Sequence, residues 1–104
     1  MTEFRALPKF IIQKNQVETN IKSILAKTNN DDISFTPHFK THQSLDIAKI
    51  FFELGVREIK VSSVEMAAFF AEMGWENITI AFPFYRQMLP QIDFLARLCS
   101  ISLF

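Results

Sequence analysis

Apolar side chains along this chain recur first at helical spacing, then at every second position, and the two patterns take turns. Val17, Ile21, Ile24 and Leu25 fall three and four apart, which predicts a helix over 17–27. A β-prone stretch after Pro8, at 9–13 within a strand segment 7–14, precedes it. Asn29-Asn30-Asp31-Asp32 supplies residues that favour turns and tolerate left-handed backbone. The alternation Ile33-Ser34-Phe35-Thr36 then predicts a short strand. A second helix is expected over 45–54, where Ile47, Ala48, Ile50, Phe51 and Leu54 form a broad apolar arc. Ser44 is its N-cap, Asp46 complements its dipole, and Gly55 ends it.

The pattern then repeats. Ile59 and Val61 on one face predict a strand at 58–62, and Ser62 with Glu65 forms a capping box for a helix over 63–73. Gly74 closes that helix, 78–82 reads as the next strand, 88–98 as a helix, and 101–104 as a further strand. Glu53-Leu54-Gly55 followed by Ile59-Lys60-Val61 returns nineteen positions later as Glu72-Met73-Gly74 followed by Ile78-Thr79-Ile80. Helix, glycine, strand and helix again is the grammar of successive β/α units with parallel strands. The pattern alone fits an arc of barrel and an open three-layer sheet equally well.

Length narrows the choice. A closed (β/α)8 barrel takes roughly 200 to 400 residues, and 104 residues supply one small domain. The expectation is a fragment: a strand segment at 7–14 and the first β/α units over 15–104. A final apolar strand without a covering helix reads as an open edge, which suggests a truncated product or a degenerate copy. Twelve phenylalanines belong to core-facing surface. Eleven basic residues balance eleven acidic ones, so nothing points to nucleic acid. The near-zero net charge gives little protection against self-association, and a homo-oligomer is expected. No apolar run approaches the ~20 residues of a membrane span. The single cysteine, Cys99, fits a reducing cytoplasm and reads as a small buried hydrophobe.

The candidate chemistry lies in Pro37-His38-Phe39-Lys40-Thr41-His42-Gln43-Ser44. It places Lys40 where a short apolar run gives way to the polar start of a helix. A lysine presented at a strand's carboxyl end can hold an aldehyde cofactor as a Schiff base. His38 and His42 are four apart, a metal-binding spacing on a helix. Pro37 and the change from strand to helix argue against one helix through both, and no metal site is expected.

This segment closely resembles the Pro-His-x-Lys-Thr-His-Lys motif of the D-serine dehydratase and D-threonine aldolase family. Those enzymes depend on pyridoxal phosphate (fold type III) and share the alanine racemase type of barrel. The resemblance runs from about Leu7 to the last residue and favours the barrel over the open sheet: a partial (β/α)8 TIM-type barrel of three to four β/α units. It implies a pyridoxal 5'-phosphate-dependent lyase, dehydratase or aldolase, acting on a small D-3-hydroxy amino acid. Lys40 is then the catalytic and cofactor-binding lysine, with His38, Thr41 and His42 lining the cofactor pocket. The resemblance also implies a C-terminal β-domain, expected to be absent from this fragment, and zinc ligands from the relatives' far C-terminal part, which no residue here matches. Gln43 stands where the motif ends in lysine, which leaves the exact reaction open. Lys-Thr-His-Gln followed by the strand ends Val61-Ser62-Ser63 and Ala81-Phe82-Pro83 resembles alanine-racemase-domain relatives of those enzymes. Ser62, Ser63, Glu65, Tyr85 and Arg86 fall on the same rim. Capping explains the serines, and Trp75 with the phenylalanine pairs reads as packing. The alternatives are a non-catalytic remnant, inactive alone, or a carrier-type barrel that binds the cofactor without turnover.

Overall fold

The computed structural model describes residues 11–42 and 44–103. Helix α1 (Lys14–Asn30) is followed by a 3-10 turn (Phe39–Thr41), α2 (Leu45–Glu53), β1 (Glu58–Val61), α3 (Val64–Glu72), β2 (Asn77–Ile80), a second 3-10 turn (Arg86–Met88), α4 (Leu89–Ala96) and β3 (Ser100–Leu103). The strands form one sheet in the order β1-β2-β3, parallel throughout. The chain is thus an α/β domain with helices crossing between parallel neighbours.

The expected elements appear with shifted edges. α1 begins at Lys14 rather than 17, with Gln13 at its N-cap and no side-chain cap bond. Of the 7–14 strand segment, residues up to 10 lie outside the described residues, and 11–13 form no regular element ahead of α1. The strand expected at 33–36 has no ladder of its own. This stretch lies beside β1 through a single parallel bridge, His38 to Lys60, and Lys60 N–H donates to the Pro37 carbonyl at 2.8 Å. Pro37 has no N–H to return, which limits the ladder there. Ser63, rather than Ser62, caps α3, its hydroxyl accepting from Met66 N–H at 3.0 Å. Ser44 caps α2 as expected, accepting from Ile47 N–H at 3.4 Å.

Three helices end in one way. Asp32, Gly55 and Gly74 take φ of +58°, +102° and +104°. Past these residues Ile33, Val56 and Trp75 donate N–H back to Thr28, Phe51 and Phe70. This is the Schellman geometry that satisfies terminal carbonyls. Nothing lies within 4 Å of a Cβ built on either glycine, so backbone conformation alone favours glycine there. The nineteen-position repeat becomes the sheet register itself, with Ile59 beside Ile78 and Val61 beside Ile80.

The sheet has two unlike faces. Ile59, Val61, Ile78 and Ile80 are fully or almost fully buried under the helices, and Ile101 packs at the margin of the same core. The alternate positions Glu58, Lys60, Asn77, Thr79, Ser100 and Ser102 are polar and half-buried or exposed. Phe39, with no exposed surface, centres an aromatic cluster. Its ring lies 5.1 Å from Phe70, 5.2 Å from Phe51 and 5.3 Å from Trp75, the last edge-on at 89°. Phe39→Ala should lower unfolding stability in urea by about 3–5 kcal/mol. Ser63→Ala should cost about 1 kcal/mol through the lost cap. Equal, small losses for both would show that Phe39 does not anchor the core.

Candidate functional site

Burial of Phe39 decides the orientation of its neighbours. With that ring on the helical side, His38 faces Lys60 across the bridge, and Lys40 follows, exposed, in the 3-10 turn. His38 Nδ1 accepts the Lys40 backbone N–H at 3.1 Å, so the imidazole caps the turn that carries the lysine. Burial first, then the ammonium groups of Lys40 and Lys60, hold His38 below the ordinary imidazole value of 6.5. Both cations therefore act on His38, and the hydrogen bond into Nδ1 also favours the neutral ring.

His42 goes the other way. Its ring stacks on Phe51 at 5.9 Å and 17° and tilts against Phe39 at 4.6 Å. Its Nδ1 accepts Ser44 N–H at 3.3 Å, which puts the proton on Nε2. That Nε2 is buried without a hydrogen-bond partner among the described residues. Burial lowers the pKa of His42 as well. Thr41 and His42 line a groove of about 580 Å³ with Ile12, Ser44, Asp46 and Ile47, at the start of α2. The four expected site residues thus divide: His38 and Lys40 with Lys60, and Thr41 and His42 in the groove. Among the described residues no three His, Cys, Asp or Glu side chains gather as a metal site.

Of the rim residues, Ser63 caps α3 and Tyr85 is held through its backbone. Tyr85 N–H donates to Met88 Sδ at 3.3 Å at the second 3-10 turn. Trp75 is buried between Phe39 and Phe52. Cys99 donates Sγ–H to the Leu95 carbonyl at 3.7 Å, and burial pushes its thiol pKa up, as expected of a packed thiol. No described helix is long and apolar enough to cross a membrane.

Lys60, Thr79 and Ser102 were not anticipated as site residues. Their signal was in the sequence: Glu-Ile-Lys-Val, Asn-Ile-Thr-Ile and Ser-Ile-Ser-Leu each alternate polar with apolar. Read for their apolar positions, these strands give a core. Their polar positions give a second face.

No protein-family model and no curated protein matches the chain. Among solved structures it is similar to a histidine-to-alanine variant of D-threo-3-hydroxyaspartate dehydratase, with 27% identity and a TM-score of 0.83 over 88% of this chain. The chain spans 24% of that dehydratase's length. The likeness supports a relationship to the broad enzyme family that the lysine motif resembles.

The two histidines make acid sensitivity specific. A folded-state value below 6.5 means that the unfolded chain binds protons first as pH falls. Stability should be level just above pH 6.5 and decline as pH drops from there through the two histidine midpoints. Ring-proton NMR should show both midpoints below 6.5. A histidine titrating at or above that value would contradict the packing described.

Proposed function

We propose that this chain is part of an alanine racemase-type barrel belonging to a pyridoxal phosphate-dependent lyase, with Lys40 as the amine that holds the cofactor. The observation that carries the reading is the coincidence of two independent things: the fold likeness to a D-3-hydroxy amino acid dehydratase, and a lysine held in a tight turn by His38 at the end of the segment beside β1. The substrate class is a small D-3-hydroxy amino acid, and the reaction is loss of water or cleavage of the Cα–Cβ bond. The dehydratase likeness favours loss of water.

The residues present fit an aldehyde cofactor. Lys40 is solvent-accessible, as a covalent attachment point must be. His38 fixes the turn that carries it, and the adjoining Thr41 lines the groove at the start of α2. When bound, pyridoxal phosphate supplies the electron sink for the bond broken at the substrate α-carbon. Lys40 would hold the aldehyde of the cofactor and, when free, would serve as general base for the α-carbon proton. His38 fixes the turn and stays neutral near pH 7. We place the protein in the cytoplasm, where its single half-buried thiol stays reduced. We expect 104 residues alone to turn over poorly, since the neighbour uses a chain about four times as long.

Treatment with pyridoxal phosphate followed by borohydride should label Lys40, read by peptide mass spectrometry. The label should vanish in Lys40→Ala. Labelling spread evenly over the surface lysines would overturn the assignment. Ammonia release from D-3-hydroxyaspartate or D-serine, against aldehyde release from D-threonine, separates dehydratase from aldolase, and a bound cofactor with neither identifies a carrier.

A non-catalytic reading has its own support. Among the described residues β3 is hydrogen-bonded along one side, its residues Ser100-Ile101-Ser102-Leu103 carry no charge, and Phe94, Leu98 and Leu103 nearby are exposed. An uncharged edge of this kind favours pairing with another copy. Light scattering should then show mass rising with concentration. A monomer across the whole range would exclude self-association through this edge.

A further inference from the structure

Register places four polar side chains in one line across the sheet. His38 bridges Lys60, Lys60 pairs with Thr79, and Thr79 pairs with Ser102. Paired residues in a parallel ladder project from the same face, and neighbouring strands lie about 4.8 Å apart. The line therefore brings an imidazole, an ammonium and two hydroxyls onto one surface. In (β/α)8 barrels the corresponding inward positions are mostly bulky and branched. Here all four can donate hydrogen bonds.

We propose that this line, centred on Lys60, is a binding site for a carboxylate group of a small acid. Lys60 supplies the charge, and Thr79 and Ser102 supply hydroxyl donors beside it. The next row toward the strands' amino ends is Glu58, Asn77 and Ser100, where Glu58 accepts from Thr36 Oγ1 at 3.4 Å. Glu58 is the one carboxylate on this face among the described strands, and it limits the positive charge available. Among the described residues, the titratable groups facing the line are His38 and Lys40 from the motif segment and Glu58 and Lys60 from β1. β2 and β3 contribute none. A singly charged carboxylate matches this balance better than a phosphate dianion. Phosphate sites usually use backbone N–H groups at a helix start or an arginine fork, whereas the strand amides here are engaged in the ladder. The identity of the acid rests on the lyase reading: the side chain of an acidic D-3-hydroxy amino acid carries such a group. The site itself does not depend on the cofactor.

The test is an NMR titration of the cofactor-free protein with acetate, inorganic phosphate and, at matched ionic strength, chloride. Acetate should give saturable shifts at residues 60, 79 and 102 and should raise the pH at which His38 titrates, since a bound anion favours imidazolium. Lys60→Met should weaken acetate by about tenfold or more, Lys60→Arg should restore most of it, and Glu58→Gln should tighten it. Thr79→Val, nearly isosteric, should weaken acetate through loss of the hydroxyl donor. Shifts that follow chloride, unchanged binding by Lys60→Met, or tighter phosphate than acetate would each overturn the proposal. Because no pyridoxal phosphate is present, failure here leaves the Lys40 labelling result standing. Loss of that labelling with acetate binding intact would remove the lyase reading and keep the site.

Discussion

Neighbouring side chains point to opposite faces along a strand and about a third of a turn apart in a 3-10 helix, so burying one decides the direction of the next. Phe39 is that one. Its ring is closed in by Phe51, Phe70 and Trp75, contacts worth about 0.5–1.5 kcal/mol each beyond burial. Rotating the segment to hide Lys40 instead would forfeit all of them and bury an ammonium. The aromatic cluster thus works as a clamp on the motif. A lysine flanked by a buried phenylalanine has its backbone position defined even though its own side chain is solvated.

The same alternation governs the sheet. β1, β2 and β3 present isoleucine, valine and leucine to one side and polar groups to the other. A slip of one residue would exchange the faces of a whole strand. The nineteen-position repeat guards against that slip between β1 and β2. Each preceding helix ends on a glycine with positive φ and the same pair of reverse hydrogen bonds, so each strand enters the sheet at the same phase.

Legibility followed where a side chain's preference and its environment agreed. The glycine stops, the Ser44 cap, the parallel order and the packing role of Trp75 could all be read, because each is a local rule that the tertiary structure did not need to override. The strand at 33–36 could not: alternation there is genuine, but Pro37 withholds a donor and the ladder shrinks to one bridge. The choice between Ser62 and Ser63 as cap turned on one residue of strand length, the quantity that pattern determines least well. In the candidate site, the motif pointed to Lys40 and its neighbours. It could not show that His38 and His42 separate to opposite sides of Phe39, since that division comes from the aromatic cluster. Lys60 was missed for a plainer reason: it stands in the polar phase of a strand whose apolar phase already explained it.

On the proposed role of Lys40, that division has a chemical consequence. A group that must hold an aldehyde and later accept a proton cannot share its surroundings with a charged imidazole without losing proton affinity to it. Here burial and two ammonium groups keep His38 neutral, while the ring's Nδ1 is spent on the Lys40 backbone. The histidine nearest the lysine therefore orients it without competing for its proton. His42, packed on Phe51, keeps its Nε2 in a buried position without a hydrogen-bond partner among the described residues. One histidine is thus consumed by the fold and the other is left with a hydrogen bond to give. For two rings only four residues apart, that difference comes from which side of Phe39 each one lies on.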